Sequence, residues 1–297
     1  MRALLLAGVF AIACSKTKEM PAPKAEAHPS AVAVASSAPP RPVSVDCGDL
    51  ECRAYDDFAT AFESTLVDKP IVVAIGEAHA KKGFEWVETA AKRVTREVLP
   101  KLEGRASDLL LELMAPAQGC EQAKKATSQE LGKIGKDQAP TAPNEYVTLG
   151  KAAEKVGIKV SQLHPSCKDF AEIAKSKSPP LTVLQTITAL LTHDATVALG
   201  VPGRSDDKLF VIYGGAFHTE PTPPEERAEF SVAAKVSKAA KNRYVSVHVF
   251  VREYIDDKWD LWPWYPHFKP DQHADRVVVF HPKPQHYVLI TAAAKRP

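Results

Sequence analysis

Four short stretches of this chain carry residues able to do acid–base or ligand chemistry, and they sit in similar surroundings. Gly76-Glu77-Ala78-His79 and Gly215-Ala216-Phe217-His218 each place a histidine three residues after a glycine, directly behind an apolar run. Glu112 stands inside the apolar run Leu109 to Met114, and His164 follows the run Ile158 to Leu163. A carboxylate in such a run must find a partner, because burying it unpaired is costly. Glycine permits the sharp exit that brings a side chain back over the end of a strand. Taken singly, a Glu or His after a strand is commonly a loop or capping residue; taken together, these point to one site. Carboxylates and neutral imidazoles are donors that suit Zn²⁺ or Mn²⁺. Such a metal lowers the pKa of a bound water toward about 7 and leaves a free Glu as general base. A metal-free Glu–His pair is an alternative base for water attack on an ester. A third chemistry is haem or other ligand binding without catalysis, with His or Tyr as axial ligand. The sequence has no c-type attachment peptide, so such a haem would be held non-covalently.

These residues need elements to position them. Ile71 to Ile75 is a continuous apolar run, as a parallel strand buried on both faces requires. Val87, Ala91, Val94 and Val98 then recur at helical spacing, and Leu109 to Leu111 resumes as strand. A helix over Glu145 to Val156 precedes a strand at Ile158 to Leu163, and Leu181 to Leu199 reads as a long apolar helix. Leu209 to Tyr213 is a buried strand, Glu225 to Lys241 a helix, and Val245, Val247, Val249 and Val251 alternate as a further strand. Arg276 to Phe280 and His286 to Thr291 form a closing antiparallel pair. Strands alternating with helices predict an α/β domain, with a largely parallel central sheet flanked by helices and right-handed crossovers. Ligands bind outside the carboxyl ends of such strands, which is where Glu77, His79, Glu112, His164 and His218 fall. The crowded Trp259, Trp262, Trp264, Tyr265, His267 and Phe268 read as a satellite core under a long loop, with an aromatic lip for an apolar ligand as the alternative. His273, His281 and His286 read as turn and strand-edge residues.

The N-terminus has a different character. Arg2 precedes eleven apolar residues, Ala3 to Ala13, far fewer than the roughly 20 that cross a bilayer but suited to a secretory signal. Ala11-Ile12-Ala13-Cys14 resembles the lipobox of bacterial lipoproteins, with Ala11 where Leu is more usual. That resemblance implies a signal peptide over residues 1–13, acylation of Cys14 and an extracytoplasmic domain anchored in the bacterial cell envelope. Residues 14–46 hold six prolines among Ala, Ser and Lys, too little apolar surface to offset ordering entropy. They predict an extended tether reaching up to about 100 Å, with one domain over residues 47–297. Charge is balanced, 38 Lys and Arg against 36 Asp and Glu, with no basic stripe, so nucleic acid is not an expected partner. The expected partners are the membrane, through the lipid, and a small-molecule substrate or haem. Four cysteines remain beyond Cys14, an even number that favours disulfides in an exported chain. The expected pairs are Cys47–Cys52, at the domain entrance, and Cys120–Cys167, tying two distant loops. No Cys pair has zinc-site spacing.

Gly-Glu-x-His after the first strand, Leu-Glu-Leu at the second and a later Gly-x-x-His resemble one superfamily. It joins the ChaN-like haem-uptake lipoproteins, the erythromycin esterases and the TIKI/TraB proteins. The resemblance covers about Lys69 to Val251. It implies that Glu77, His79, Glu112 and His218 line the site, as catalytic residues or metal ligands. The sequence departs from the pattern at Ala80, where a polar residue often follows the first histidine. It departs again at Thr192-His193-Asp194, where an Arg is common. His193 and His164 are the further candidates for contact with a cofactor. The superfamily holds hydrolases, metalloproteases and haem binders, so it narrows fold more than reaction.

Overall fold

The apolar runs lie side by side in the computed structural model, which describes residues 42–114, 119–120 and 138–295. The signal segment, Cys14 and the tether up to residue 41 lie outside the described residues. The strands are β1 (Val43–Ser44), β2 (Glu51–Tyr55), β3 (Val72–Glu77), β4 (Ala106–Met114) and β5 (Lys159–Leu163). They continue with β6 (Leu209–Gly215), β7 (Tyr244–Phe250), β8 (Val277–Lys283) and β9 (His286–Ile290). They form a nine-stranded sheet in the order β1-β2-β8-β9-β7-β3-β6-β4-β5. From β9 through β7, β3, β6 and β4 to β5 every neighbour is parallel. β1, β2, β8 and β9 form an antiparallel edge. The expected fold class is the observed one, and the C-terminal pair is antiparallel as the sequence indicates.

Three details differ from expectation. β2 was not foreseen: its Glu-Cys-Arg-Ala-Tyr is short, yet Cys52 and Ala54 turn inward and Glu51 and Arg53 outward, the alternation of a half-buried strand. Val43 and Ser44, assigned to the tether, pair with Ala54 and Arg53 and cover the open edge of β2. The helix expected over Glu225 to Lys241 is broken into a 3₁₀ stretch, Glu225–Phe230, and a helix, Ala233–Ala239. Ser231 stands at the break: its hydroxyl donates to the Glu220 carbonyl (2.5 Å) and accepts from the Ala233 amide (3.1 Å).

Alternation along the strands builds a core on each face. One face carries Val73, Ile75, Leu109, Leu111, Val211 and Val247 beneath Tyr146, Leu149 and Ala153 of the helix α1 (Ala142–Lys155). The other carries Val72, Ala74, Leu110, Phe210 and Ile212 beneath Val183, Ile187 and Leu191 of the helix α2 (Pro179–Leu199). Complete burial of a side chain of this size stabilises by about 1.5–3 kcal/mol. Among the described residues no helix is long and apolar enough to cross a membrane. The aromatic C-terminal stretch is a third core: Trp262 and Trp264 pack with Phe250, Phe280 and the Cys47–Cys52 pair. Both expected disulfides are present, with Cα separations of 6.3 Å for Cys47–Cys52 and 5.4 Å for Cys120–Cys167, which is compatible with an extracytoplasmic location.

Candidate functional site

β6 is the hinge of the site. It ends in Gly214-Gly215 and lies between β3 and β4, so residues at the ends of three strands meet over a backbone without side chains. Glu77 is in register with Gly215. A methyl group built on Gly215 would lie 3.5 Å from Glu112 Oε2, 3.6 Å from His79 Nε2 and 3.8 Å from His218 Cδ2. These three side chains therefore converge on one small space. On Gly214 the same methyl would lie 2.3 Å from Glu112 Oε2, so only glycine admits the carboxylate there. Gly76 is equally constrained, because a methyl would strike Thr219 Oγ1 at 2.3 Å and the backbone of Ala216 at 2.8 Å.

The site has two halves, one from each face of the sheet. On the α1 face, Glu77 is buried and accepts from two phenols. The Tyr146 hydroxyl donates to Oε1 at 3.0 Å and the Tyr213 hydroxyl to Oε2 at 2.5 Å, short as hydrogen bonds to a charged acceptor are. Burial and then the Glu77 charge push both phenols well above their ordinary range, which keeps them donors. His79 Nδ1 lies 3.2 Å from Glu77 Oε1 and 3.1 Å from the Tyr146 oxygen, and its ring keeps 28 % of its surface open. Burial works to lower the His79 pKa, but the hydrogen bond and charge of Glu77, with the charge of Glu112, outweigh it and raise it above 6.5.

On the α2 face, Glu112 Oε2 accepts from the Gly215 amide at 2.6 Å, and Oε1 lies 3.6 Å from His218 Nε2. The other nitrogen of His218, Nδ1, lies 2.9 Å from the Phe230 carbonyl and 3.0 Å from Thr188 Oγ1. That carbonyl lies at the break between the 3₁₀ stretch and the helix Ala233–Ala239. Both halves open into a cavity of about 780 Å³, walled by Leu113, Pro143, Val183, Leu184, Ile187 and Phe217. Its size is that of a small-molecule site. Phe217 is 42 % exposed and stacks on Trp262 at 5.6 Å, beneath the Arg227 guanidinium.

The four residues singled out together, Glu77, His79, Glu112 and His218, are thus brought together. His164 and His193 are not: both are exposed, and neither is among the described residues that line the cavity. The reason for His164 is strand order, since β5 is the edge strand, one place beyond β4. His193 lies on the exposed side of α2, opposite its buried Leu191 and Ala195. Tyr146, Tyr213 and Thr188 were missed in the sequence, where each reads as an ordinary core position. Among the described residues no three His, Cys, Asp or Glu side chains are grouped to hold a metal ion. Both oxygens of Glu77 and one of Glu112 accept hydrogen bonds from the protein.

No protein-family model matches the chain, and no curated protein matches it. Among solved structures, the type III effector HopBA1 matches with a TM-score of 0.41 and 12 % identity, over 82 % of this chain and 98 % of that one.

Proposed function

We propose that this chain is an exported hydrolase, anchored through Cys14, that cleaves an ester or similar acyl bond with the Glu77–His79 pair as its base. One observation carries the reading. Glu77 Oε1 sits 3.2 Å from His79 Nδ1 and accepts its N–H, so Nε2 keeps its lone pair and faces the space beside Gly215. An imidazole oriented by a carboxylate in this way is suited to draw a proton from an attacking water. The two tyrosines hold the carboxylate still, and the apolar wall of the cavity receives the body of the substrate. Membership of the ChaN-like, erythromycin esterase and TIKI/TraB superfamily belongs to the same proposal. It is supported by the meeting of Glu77, His79, Glu112 and His218 around one glycine.

The apolar wall also favours a second reading, non-covalent binding of haem with His79 as axial ligand. The phenols are not available for that role, because Glu77 engages both. One experiment separates the readings: the full chain and its His79→Ala variant are assayed with p-nitrophenyl octanoate and titrated with haemin. The hydrolase reading expects a rate loss of about 100-fold or more in the variant, with no His79-dependent absorbance change on haemin addition. Hydrolysis indifferent to His79, beside a haem spectrum that needs it, would replace this reading with the second.

A further inference from the structure

A base alone leaves the reaction half provided for, because an alkoxide leaving group needs a proton as its bond to carbon breaks. The hydrogen-bond geometry of His218 locates that proton. The Phe230 carbonyl, 2.9 Å from Nδ1, can only accept, so Nδ1 carries a hydrogen. Thr188 Oγ1, 3.0 Å from the same nitrogen, has its own hydrogen directed at the Leu184 carbonyl (2.8 Å) or the Phe230 carbonyl (3.0 Å) and turns a lone pair to Nδ1. In a neutral imidazole with Nδ1 protonated, Nε2 presents a lone pair. That lone pair would face Glu112 Oε1, 3.6 Å away, in a pair of side chains only 2 % and 8 % exposed. Two lone pairs in such surroundings repel, and one hydrogen on either partner turns the contact into attraction. The Gly215 amide occupies the other oxygen of Glu112, so it cannot supply that hydrogen to Oε1.

We infer that the buried Glu112–His218 pair carries one proton on His218 Nε2 at the cavity floor and delivers it to the leaving-group oxygen, with Thr188 as the residue that positions His218. The inference rests on the hydrolase reading above. Water gives a proton to His79 Nε2 as its oxygen bonds to the acyl carbon. The carbon–oxygen bond to the leaving group then breaks, its electrons stay on that oxygen, and the Glu112–His218 proton neutralises it. An acid and an alcohol result, with one proton gained at His79 and one lost at the pair, and transfer through solvent in the cavity resets both. The base half and the acid half come from opposite faces of the sheet and meet over Gly215.

The test is the dependence on leaving group, which a merely structural residue would not alter. The full chain is assayed with ethyl octanoate, whose alkoxide needs a proton, and with p-nitrophenyl octanoate, whose phenolate does not. His218→Gln should slow the ethyl ester by about 100-fold or more and the p-nitrophenyl ester by less than about 5-fold. Thr188→Val, which keeps the shape and removes the hydroxyl, should slow the ethyl ester alone by about 5- to 10-fold, and Thr188→Ser should restore it. Should His218→Gln not fold, as judged by thermal melting, the Thr188 pair decides the question by the same criterion. Equal losses on both esters, with hydrolysis still dependent on His79, overturn the acid role and leave the hydrolase standing. Absence of any His79-dependent hydrolysis removes both.

Discussion

At the scale of single residues, Glu77 sets the working range of His79. The imidazole must be neutral to act as a base, and the neighbouring carboxylate raises its pKa above 6.5. Activity should therefore fall on the acid side through a pKa higher than that of an ordinary histidine. In Glu77→Gln the charge is gone while the burial that opposes protonation stays, so the acid limb of the pH–rate profile should move below pH 6.5. The maximal rate should drop as well, because an amide orients the imidazole less firmly. An acid limb that stays in place would separate Glu77 from the base. Glu77, His79, Glu112 and His218 were legible in the sequence because each is polar where its neighbours are apolar, and glycines precede the turns. Tyr146, Tyr213 and Thr188 were not, since a phenol in a strand or a hydroxyl in an apolar helix looks like core. The Phe230 carbonyl left no signal at all, because every residue has one.

At the scale of elements, the apolar runs carried most of the fold, down to the antiparallel β8–β9 pair. What they did not carry was strand order. The apolar runs placed His164 at the carboxyl end of a strand, as they did Glu77, Glu112 and His218, without giving which strands are neighbours. The observed order sends β5 to the edge and His164 with it. A second polar cluster in the sheet, unforeseen for the same reason, governs behaviour in acid. His286, read as a strand-edge residue, is buried against His248 of the neighbouring strand, Nε2 to Nδ1 at 3.2 Å, and His248 Nε2 reaches Thr219 Oγ1 at 3.1 Å. Burial holds His286 down to about 3, with the positive charges of Lys283 and His281 adding to it. Burial, then the His286 charge, holds His248 well below 6.5. Both rings are neutral in the fold and take up protons near pH 6.5 once unfolded. Their contribution is complete above pH 6.5 and is lost as pH falls, at about 1.4 kcal/mol per pH unit for each ring. His286→Gln should make the decline in unfolding free energy between pH 6.5 and 4.5 shallower by one ring's share, measured by denaturant titration at each pH. Identical slopes in variant and wild type would show that these rings do not set the acid limit.

For the molecule as a whole, the candidate site sits in a domain that begins by residue 43, with residues 15–42 between it and Cys14. If Cys14 is acylated, Cys14→Ser should move the protein from the membrane fraction to the soluble one, since each buried CH₂ contributes about 0.8 kcal/mol to anchoring. Unchanged membrane retention would count against the anchor, while hydrolysis by the released protein should equal that of the bound form.

If the chain is exported as proposed, the place of β6 has a consequence for when the candidate site assembles. It is the sixth strand in the chain and yet stands between the third and the fourth, with 103 residues separating Glu112 from the Gly215 amide that holds it. A chain threaded across a membrane from its N-terminus delivers Glu77, His79 and Glu112 first. They have no common floor until the Gly214-Gly215 strand pairs with β3 and β4. Long-range parallel pairing of this kind is slow to form. On the proposed route of export, the four side chains would meet only after most of the polypeptide had crossed, because Gly215 lies 103 residues beyond Glu112.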